Sequence, residues 1–370
     1  MKKFKKGMII LLSTLVILGL ITVLVLQLPT FGGTASGGRL ERIKHSPNYK
    51  NGTFQYPLET PMMNPESSWF KLIAAYFKPT EGREPERPLP SVKTNLKTLT
   101  GTEPVLVWFG HSSYFLRVNG KNLLVDPVFS GRTSPFQFVG SKAYPCTEMY
   151  GADDFPELDA IIISHDHYDH LDYDTILKLA SRTKHFHVAL GVGSHLERWG
   201  VKPEAITEYD WYEAGKISDD LQLTATPGRH FSGRGLKRGQ TLWNSYVLKT
   251  PTQTIFLGGD SGYGPHFKEI GEKYGPFDLA LLECGQYNLM WHYIHMMPEE
   301  TVQAAKDLKA EVLMPVHWGK FTLALHPWKE PIERMTKKAK EVQQPITTPR
   351  IGELVPIGGN YSTERWWEGY

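Results

Sequence analysis

Cysteine is almost missing from this chain: among 370 residues there are two, Cys146 and Cys284. They lie far apart and neither belongs to a CxxC pair, which excludes a disulfide framework and leaves at most one bridge. Each reads as a small buried apolar residue. An excess of charge of either sign is also lacking. The 41 Lys and Arg against 39 Asp and Glu leave a net charge of +2, so no polyanion-binding surface is indicated and nucleic acid is not expected as a partner. No repeat is visible along the sequence. Charge itself disappears between Lys6 and Arg39.

That charge-free run is the first informative presence. MKKFKK carries four lysines in six residues and leads into GMIILLSTLVILGLITVLVLQL, where Ser13, Thr14 and Thr22 are the polar residues between Met8 and Leu26. About 20 apolar residues in a helix cross a hydrocarbon core of roughly 30 Å. The lysines hold their end in the cytoplasm and send the remainder outward. The expected organisation is a basic cytoplasmic end at 1–6 and a single-pass transmembrane anchor at 7–28, with the remainder of the chain extracytoplasmic at the cell membrane. A cleaved signal peptide is the rival, with Thr34–Ser36 as a small-residue cleavage site, although the apolar run exceeds the usual 7–15 residues.

Residues 29–100 are rich in Gly, Pro and charge and read as an extended arm and linker with one short helix near Ser67–Phe77. From Val105 the pattern changes. VLVWFG, SYFLRV and KNLLVDPV are strand-like, and Asn119-Gly120 between the last two signals a tight hairpin. LDAIIIS reads as a buried strand and DYDTILKLASRT as a helix that Asp172 caps. HFHVAL, LQLTATP, NSYVLKT and TIFLGGD continue the strands. PEETVQAAKDLKA is an amphipathic helix leading into the strand EVLMPVHWG. With 41% apolar residues, such a series can bury the core of one α/β domain at 101–370.

The chemistry concentrates in IIISHDHYDHLD. His165, His167, Asp169 and His170 follow a buried strand, with Asp166 and Asp172 beside them. Such a cluster resists burial unless something positive joins it. HxHxDH offers imidazole nitrogens and a carboxylate from one rigid corner, a donor set suited to zinc. Three more donors each follow a downstream apolar run: His230 after LQLTATPGR, Asp260 after TIFLGG and His317 after EVLMPV. Seven donors match two metal ions, with Asp260 able to bridge them.

WFGHSSYFLRVNGKNLLVDPVFSGRTSP, ISHDHYDHLDYD, TPGRHFSGR, GGDSGYGPHFKEIGEKYGPFDLA and PVHWGKFTLA together resemble the metallo-β-lactamase superfamily. More narrowly they resemble N-acyl-phosphatidylethanolamine-hydrolysing phospholipase D and its bacterial relatives, over roughly residues 38–355 judged by motif order. The resemblance implies a four-layer αββα sandwich with two zinc ions per chain. His165, His167 and His230 would hold one, Asp169, His170 and His317 the other, and Asp260 would bridge. It also places His295, just before PEE, at a substrate phosphate. Asp169 and Asp260 would then orient the attacking water, with His295 protonating or orienting the departing alcohol. The implied reaction is hydrolysis of a phospholipid phosphodiester. The surrounding NLMWHYIHMM departs from the lipase pattern.

Two alternatives stand beside it: a lactonase of a phosphorylated sugar or other small ester, and a non-catalytic metal-binding envelope protein. An oligomer is left open. Among lesser candidates, Asp126 is expected to support a ligating imidazole and His111 to position a loop by hydrogen bonding. His185, His187, His195, His266, His292 and His326 read as surface or satisfied core histidines.

Overall fold

The computed structural model describes residues 2–78 and 80–370, with only the backbone of Lys2. Helix α1 (Lys2–Leu26) has 25 residues, about 37 Å at 1.5 Å per residue. No part of its apolar run is buried against the rest of the chain. It is long and apolar enough to cross a membrane. Pro29, which cannot continue a helix, opens a short strap that turns onto the body.

Three small elements follow: α2 (Gly37–His45), a ribbon of β1 (Tyr49–Lys50) with β2 (Thr53–Phe54), and α3 (Trp69–Phe77). They are built on specific contacts. Arg39 of α2 makes a two-pronged bond to Glu197 and a further one of 2.7 Å to Glu208. Ser68 caps α3 by accepting from Lys71 N. The segment gives Ile43, Phe54, Tyr56, Leu89 and Leu96 to the buried clusters, so it is docked along the body. α3 buries none of its residues.

The first sheet takes β3 (Val105–Trp108), β4 (Tyr114–Val118), β5 (Lys121–Val125), β6 (Leu158–Ile163), β7 (Thr183–Ala189) and β8 (Ile206–Tyr209). Asn119 and Gly120 both have positive φ, 48° and 73°. That is the two-residue hairpin geometry whose twist matches the strands, and it registers Val118 opposite Lys121. β5 to β8 run parallel. Helix α4 (Tyr173–Leu179) follows β6, and α5 (Gly193–Arg198) follows β7.

The second sheet takes β9 (Ala214–Ser218), β10 (Leu221–Thr226), β11 (Ser245–Lys249), β12 (Thr254–Leu257), β13 (Leu279–Glu283) and β14 (Leu313–Val316), in the spatial order 14-13-12-11-10-9. Between and after these strands lie α6 (His266–Tyr274), α7 (Pro298–Asp307) and α8 (Glu330–Glu341). Finally β15 (Leu354–Pro356) returns to the open edge of the first sheet beside β3.

Alternation along the strands assigns the layers. Leu106, Trp108, Ala160 and Ile162 join one cluster with Leu221, Leu223 and Ala225 of the facing sheet. Val107, Ile161 and Ile163 join the other with Ile176 and Leu179 of α4 and Leu196 of α5. Phe267 and Ile270 of α6, Val302 of α7 and Ile332 of α8 complete the outer side of the second sheet. The fold is an α/β four-layer sandwich, helices outside two sheets. Both faces of β6 are covered, which explains its unbroken AIII run. Cys284 is buried as expected, but Cys146 is exposed, because it lies in the loop between β5 and β6 outside either core.

Candidate metal centre

The candidate donors all follow the C-terminal ends of strands: β6 for His165 to His170, β10 for His230, β12 for Asp260 and β14 for His317. β12 to β14 are parallel, and two antiparallel steps give β10 the same direction. These ends form one rim facing the end of β6. Two tight turns fix its floor. His111 and His317 both adopt left-handed backbone, φ 52° and 65°, and lock together through His317 N to His111 O at 2.9 Å and His111 N to Trp318 O at 2.8 Å. Conformations of that kind cost of order 1–3 kcal/mol and persist where surrounding contacts over-determine them.

All seven sequence-predicted donors converge. His165 Nε2 lies 2.9 Å from His167 Nδ1, and His230 Nε2 lies 3.3 Å from that same atom. Asp169, His170 and His317 form a second group with His111, one donor atom of each within 4.8 Å of the others. Asp260 faces both groups. Its Oδ2 is 3.2 Å from His170 Nε2, 3.8 Å from His230 Nε2 and 3.9 Å from His165 Nε2.

The donor set is unbalanced without a cation. Three buried imidazole nitrogens face one another, while His170 Nε2 and Asp260 Oδ1 are buried without a hydrogen-bond partner. Burial pushes His165, His230 and His317 well below the ordinary imidazole range, and His167 to about 4. Neutral rings of this kind present lone pairs. Burial would raise Asp169 and Asp260, yet the imidazoles beside them, His170 foremost, hold both well below the carboxylate range. Burial lowers His170, but the charges of Asp260 and Asp169 outweigh it and raise it strongly. A proton there answers the same negative charge that a cation would. Neutral nitrogens with two carboxylates are the donor chemistry of zinc and related divalent ions, so the residues fit a metal.

The supporting layer is largely as expected. Asp126 accepts from Ser164 N at 2.7 Å and lies 2.8 Å from His170 Nδ1, fixing the ring that points Nε2 into the site. His111 Nε2 is 2.9 Å from Asp169 Oδ2, so it positions that carboxylate. Asp172 departs from the capping expectation. It precedes α4, but makes no capping bond to the helix backbone. Its carboxylate accepts instead from Ser130 N and Ser130 Oγ, each at 2.8 Å, and ties the β5–β6 loop to the site. His185 Nε2 pairs with Thr207 and His187 Nδ1 with Tyr209, both at 2.7 Å, while the buried His187 Nε2 has no partner among the described residues.

Two features escaped the sequence reading. Glu283, buried at the end of β13, lies 2.7 Å from His295 Nδ1 and accepts from Met296 N at 2.9 Å. The rule that found the donors, a strong polar residue after a buried apolar run, also fits LALLE. His295 itself is brought to the rim, its ring 5.1 Å from His230 and 5.3 Å from His317. Gly262 permits this approach, since a Cβ there would lie 2.0 Å from Tyr293 O. The second feature is His195. Its Nε2 lies 3.2 Å from Asp166 Oδ2, while its Nδ1 accepts from Gly33 N at 2.9 Å. The HxHxDH turn is thereby tied to the strap after α1.

Residues 121–318 match the profile of the Beta-lactamase superfamily domain. A protein of Mycobacterium tuberculosis H37Rv, described as uncharacterized, is 39% identical over 330 residues, 88% of each chain. The Caenorhabditis elegans protein named N-acyl-phosphatidylethanolamine-hydrolyzing phospholipase D 1 is 32% identical over 229 residues, 58% of this chain and 64% of that one. Among solved structures, Igni18, a metallo hydrolase of Ignicoccus hospitalis, superposes with a TM-score of 0.53 at 22% identity, covering 69% of this chain and 98% of its own.

Proposed function

Since the chain belongs to the metallo-β-lactamase superfamily of metal-dependent hydrolases, we propose that it is a membrane-anchored dinuclear zinc phosphodiesterase acting on a phospholipid. The reaction is of phospholipase D type, with N-acyl-phosphatidylethanolamine or a similar lipid as substrate. The observation that carries this reading is the His295–Glu283 pair beside a full set of seven donors. His165, His167 and His230 would hold one zinc ion, Asp169, His170 and His317 the second, with Asp260 between them. Zinc, when bound, supplies Lewis acidity toward water and toward a phosphoryl oxygen.

The chain's own residues then divide the remaining work. Asp169, oriented by His111, and Asp260 accept hydrogen bonds from the attacking water and aim it at phosphorus. Its oxygen forms the new P–O bond and sheds a proton to the phosphate product, while the P–O bond to the head-group alcohol breaks. Burial lowers His295, but the Glu283 carboxylate more than compensates and raises it to about 9. Glu283 holds Nδ1, which leaves Nε2 to meet the phosphate or give its proton to the departing oxygen. α1 keeps the site beside its lipid. The zinc-loaded full-length protein should release the head-group alcohol from N-acyl-phosphatidylethanolamine vesicles and leave small lactones largely uncleaved. Lactone turnover exceeding lipid turnover would overturn this assignment.

A further inference from the structure

Two surface loops flank the point where α1 meets the body, and both carry apolar tips into solvent. The first runs from Arg132 to Lys142. It is a built loop, closed by a bridge between those two residues and by Thr133 N to Ser141 O at 3.2 Å. Inside it, Gln137 bonds both ways to the Arg132 backbone, at 3.0 and 3.1 Å. That rigid frame leaves Phe138 81% and Val139 51% exposed. The second loop, Arg234–Gly239, exposes Leu236 at 79%, with Lys237 and Arg238 exposed beside it.

Both loops lie close to the end of α1. Phe136 stacks on Phe138 at 5.4 Å and meets Phe31 of the strap edge-on at 6.1 Å. Leu236 and Lys237 line one cavity of about 450 Å³ with Leu26 and Gln27 at the end of α1. The strap cannot swing freely, because its carbonyls are held by the body. Trp199 Nε1 donates to Pro29 O at 2.8 Å, Arg198 to Gly32 O at 2.6 Å, and Arg234 twice to Thr30 O at 3.1 and 2.9 Å. A span ending at Leu26 therefore puts the membrane surface at the level of these loops.

We propose that the two loops form a collar that dips into the outer leaflet of the bilayer spanned by α1. Phe138, Val139 and Leu236 enter the boundary between head groups and acyl chains, and Arg132, Lys142, Lys237 and Arg238 meet anionic head groups. Apolar tips rimmed by basic side chains are the composition of interfacial membrane contacts. Scattered exposed apolar residues are ordinary on a soluble surface. These lie on two loops beside one exit point and have basic side chains next to them; of the nearby carboxylates, Glu148 sits at the base of the first loop against Gly131, and Asp174 lines a small cavity with Ser134, Pro135 and Gln137. Tyr168, next to Asp169, bonds Arg234 O at 2.7 Å, so the collar seats the metal centre at a fixed height over the lipid. The proposal rests on α1 being a membrane span.

The test uses full-length protein in phosphatidylcholine–phosphatidylglycerol vesicles, with Cys146→Ser as background and Cys284 left buried. Nitroxides are attached at Phe138→Cys, Leu236→Cys, Val16→Cys and Asp219→Cys, and collisions with oxygen and with a soluble nickel chelate are compared. Labels at 138 and 236 should favour oxygen, as the label at 16 does, and the label at 219 should favour nickel. If 16 favours oxygen but 138 and 236 behave like 219, the collar is overturned and the anchor stands. If 16 also behaves like 219, the anchor falls and the collar with it.

Discussion

His295 contributes no expected metal bond, and that separates chemistry from assembly at the level of one side chain. His295→Ala should leave the zinc content near that of the parent and lower phosphodiester turnover by roughly 10²–10⁴, the scale of an acid–base group. Elemental analysis and turnover measured on the same preparations check both halves. Asp260→Ala should do the opposite and lose metal together with activity, because its oxygens face both imidazole groups. Lys320 gives a pH-dependent prediction away from the reacting atoms. It is fully buried, donates to Val128 O at 2.8 Å, and burial pushes its ammonium down to about 8. An unfolded lysine titrates near 10.4. Between those values the unfolded chain holds a proton that the folded chain has released, so stability rises with pH across the window. The contribution is complete above the unfolded value and lost as pH falls through the folded one. Lys320→Met should flatten the rise between about pH 8 and 10, read as urea midpoints of the two proteins at both pH values.

Elements whose signal was local were legible in the sequence, and those defined by a distant partner were not. The Asn119-Gly120 hairpin, the covered strand β6 and helix α7 follow from φ requirements and periodicity alone. The seven candidate donors were legible from the HxHxDH spacing and from their place after apolar runs that the fold ends at one rim. β13 went unread as a strand although LALLE is fully buried, since a five-residue apolar run has no period that marks it. β15 is three residues long and exists because β3 offers an open edge. The strap between α1 and α2 carries no pattern at all, and its order comes from Arg198, Trp199 and Arg234, more than 160 residues away. Arg234 is buried and also donates to Asp166 O and Leu171 O, so it joins strap to HxHxDH turn. Arg234→Met should lower stability by about 2–5 kcal/mol, the range for deleting a buried, charge-assisted donor and stranding its acceptors. A truncation beginning at residue 34 should melt below one beginning at residue 27, because only the longer chain keeps Thr30 O and Gly32 O in place. Equal melting temperatures in detergent would show that the strap contacts are incidental.

At the scale of the whole molecule, the placement of charge sets a direction. Lys2, Lys3, Lys5 and Lys6 occupy the first turns of α1, ahead of its apolar run, and no cation follows that run before Arg39. Positively charged flanks are retained in the cytoplasm, and here the four lysines directly adjoin the apolar run whereas Arg39, the first cation on the other side, comes 13 residues after Leu26. The strap then binds the body within six residues of the end of α1, which leaves no tether long enough to carry the domain back across. Both sheets and the metal centre should accordingly lie outside the cytoplasm. A fusion after Tyr370 should make alkaline phosphatase active and leave a cytoplasm-dependent fluorescent reporter dark. Moving the four lysines to positions just after Leu26 should invert the pattern if charge alone sets orientation. A parent fusion active only in the cytoplasm would refute the topology while leaving the chemistry of the rim intact. The substrate would then have to be drawn from the inner leaflet.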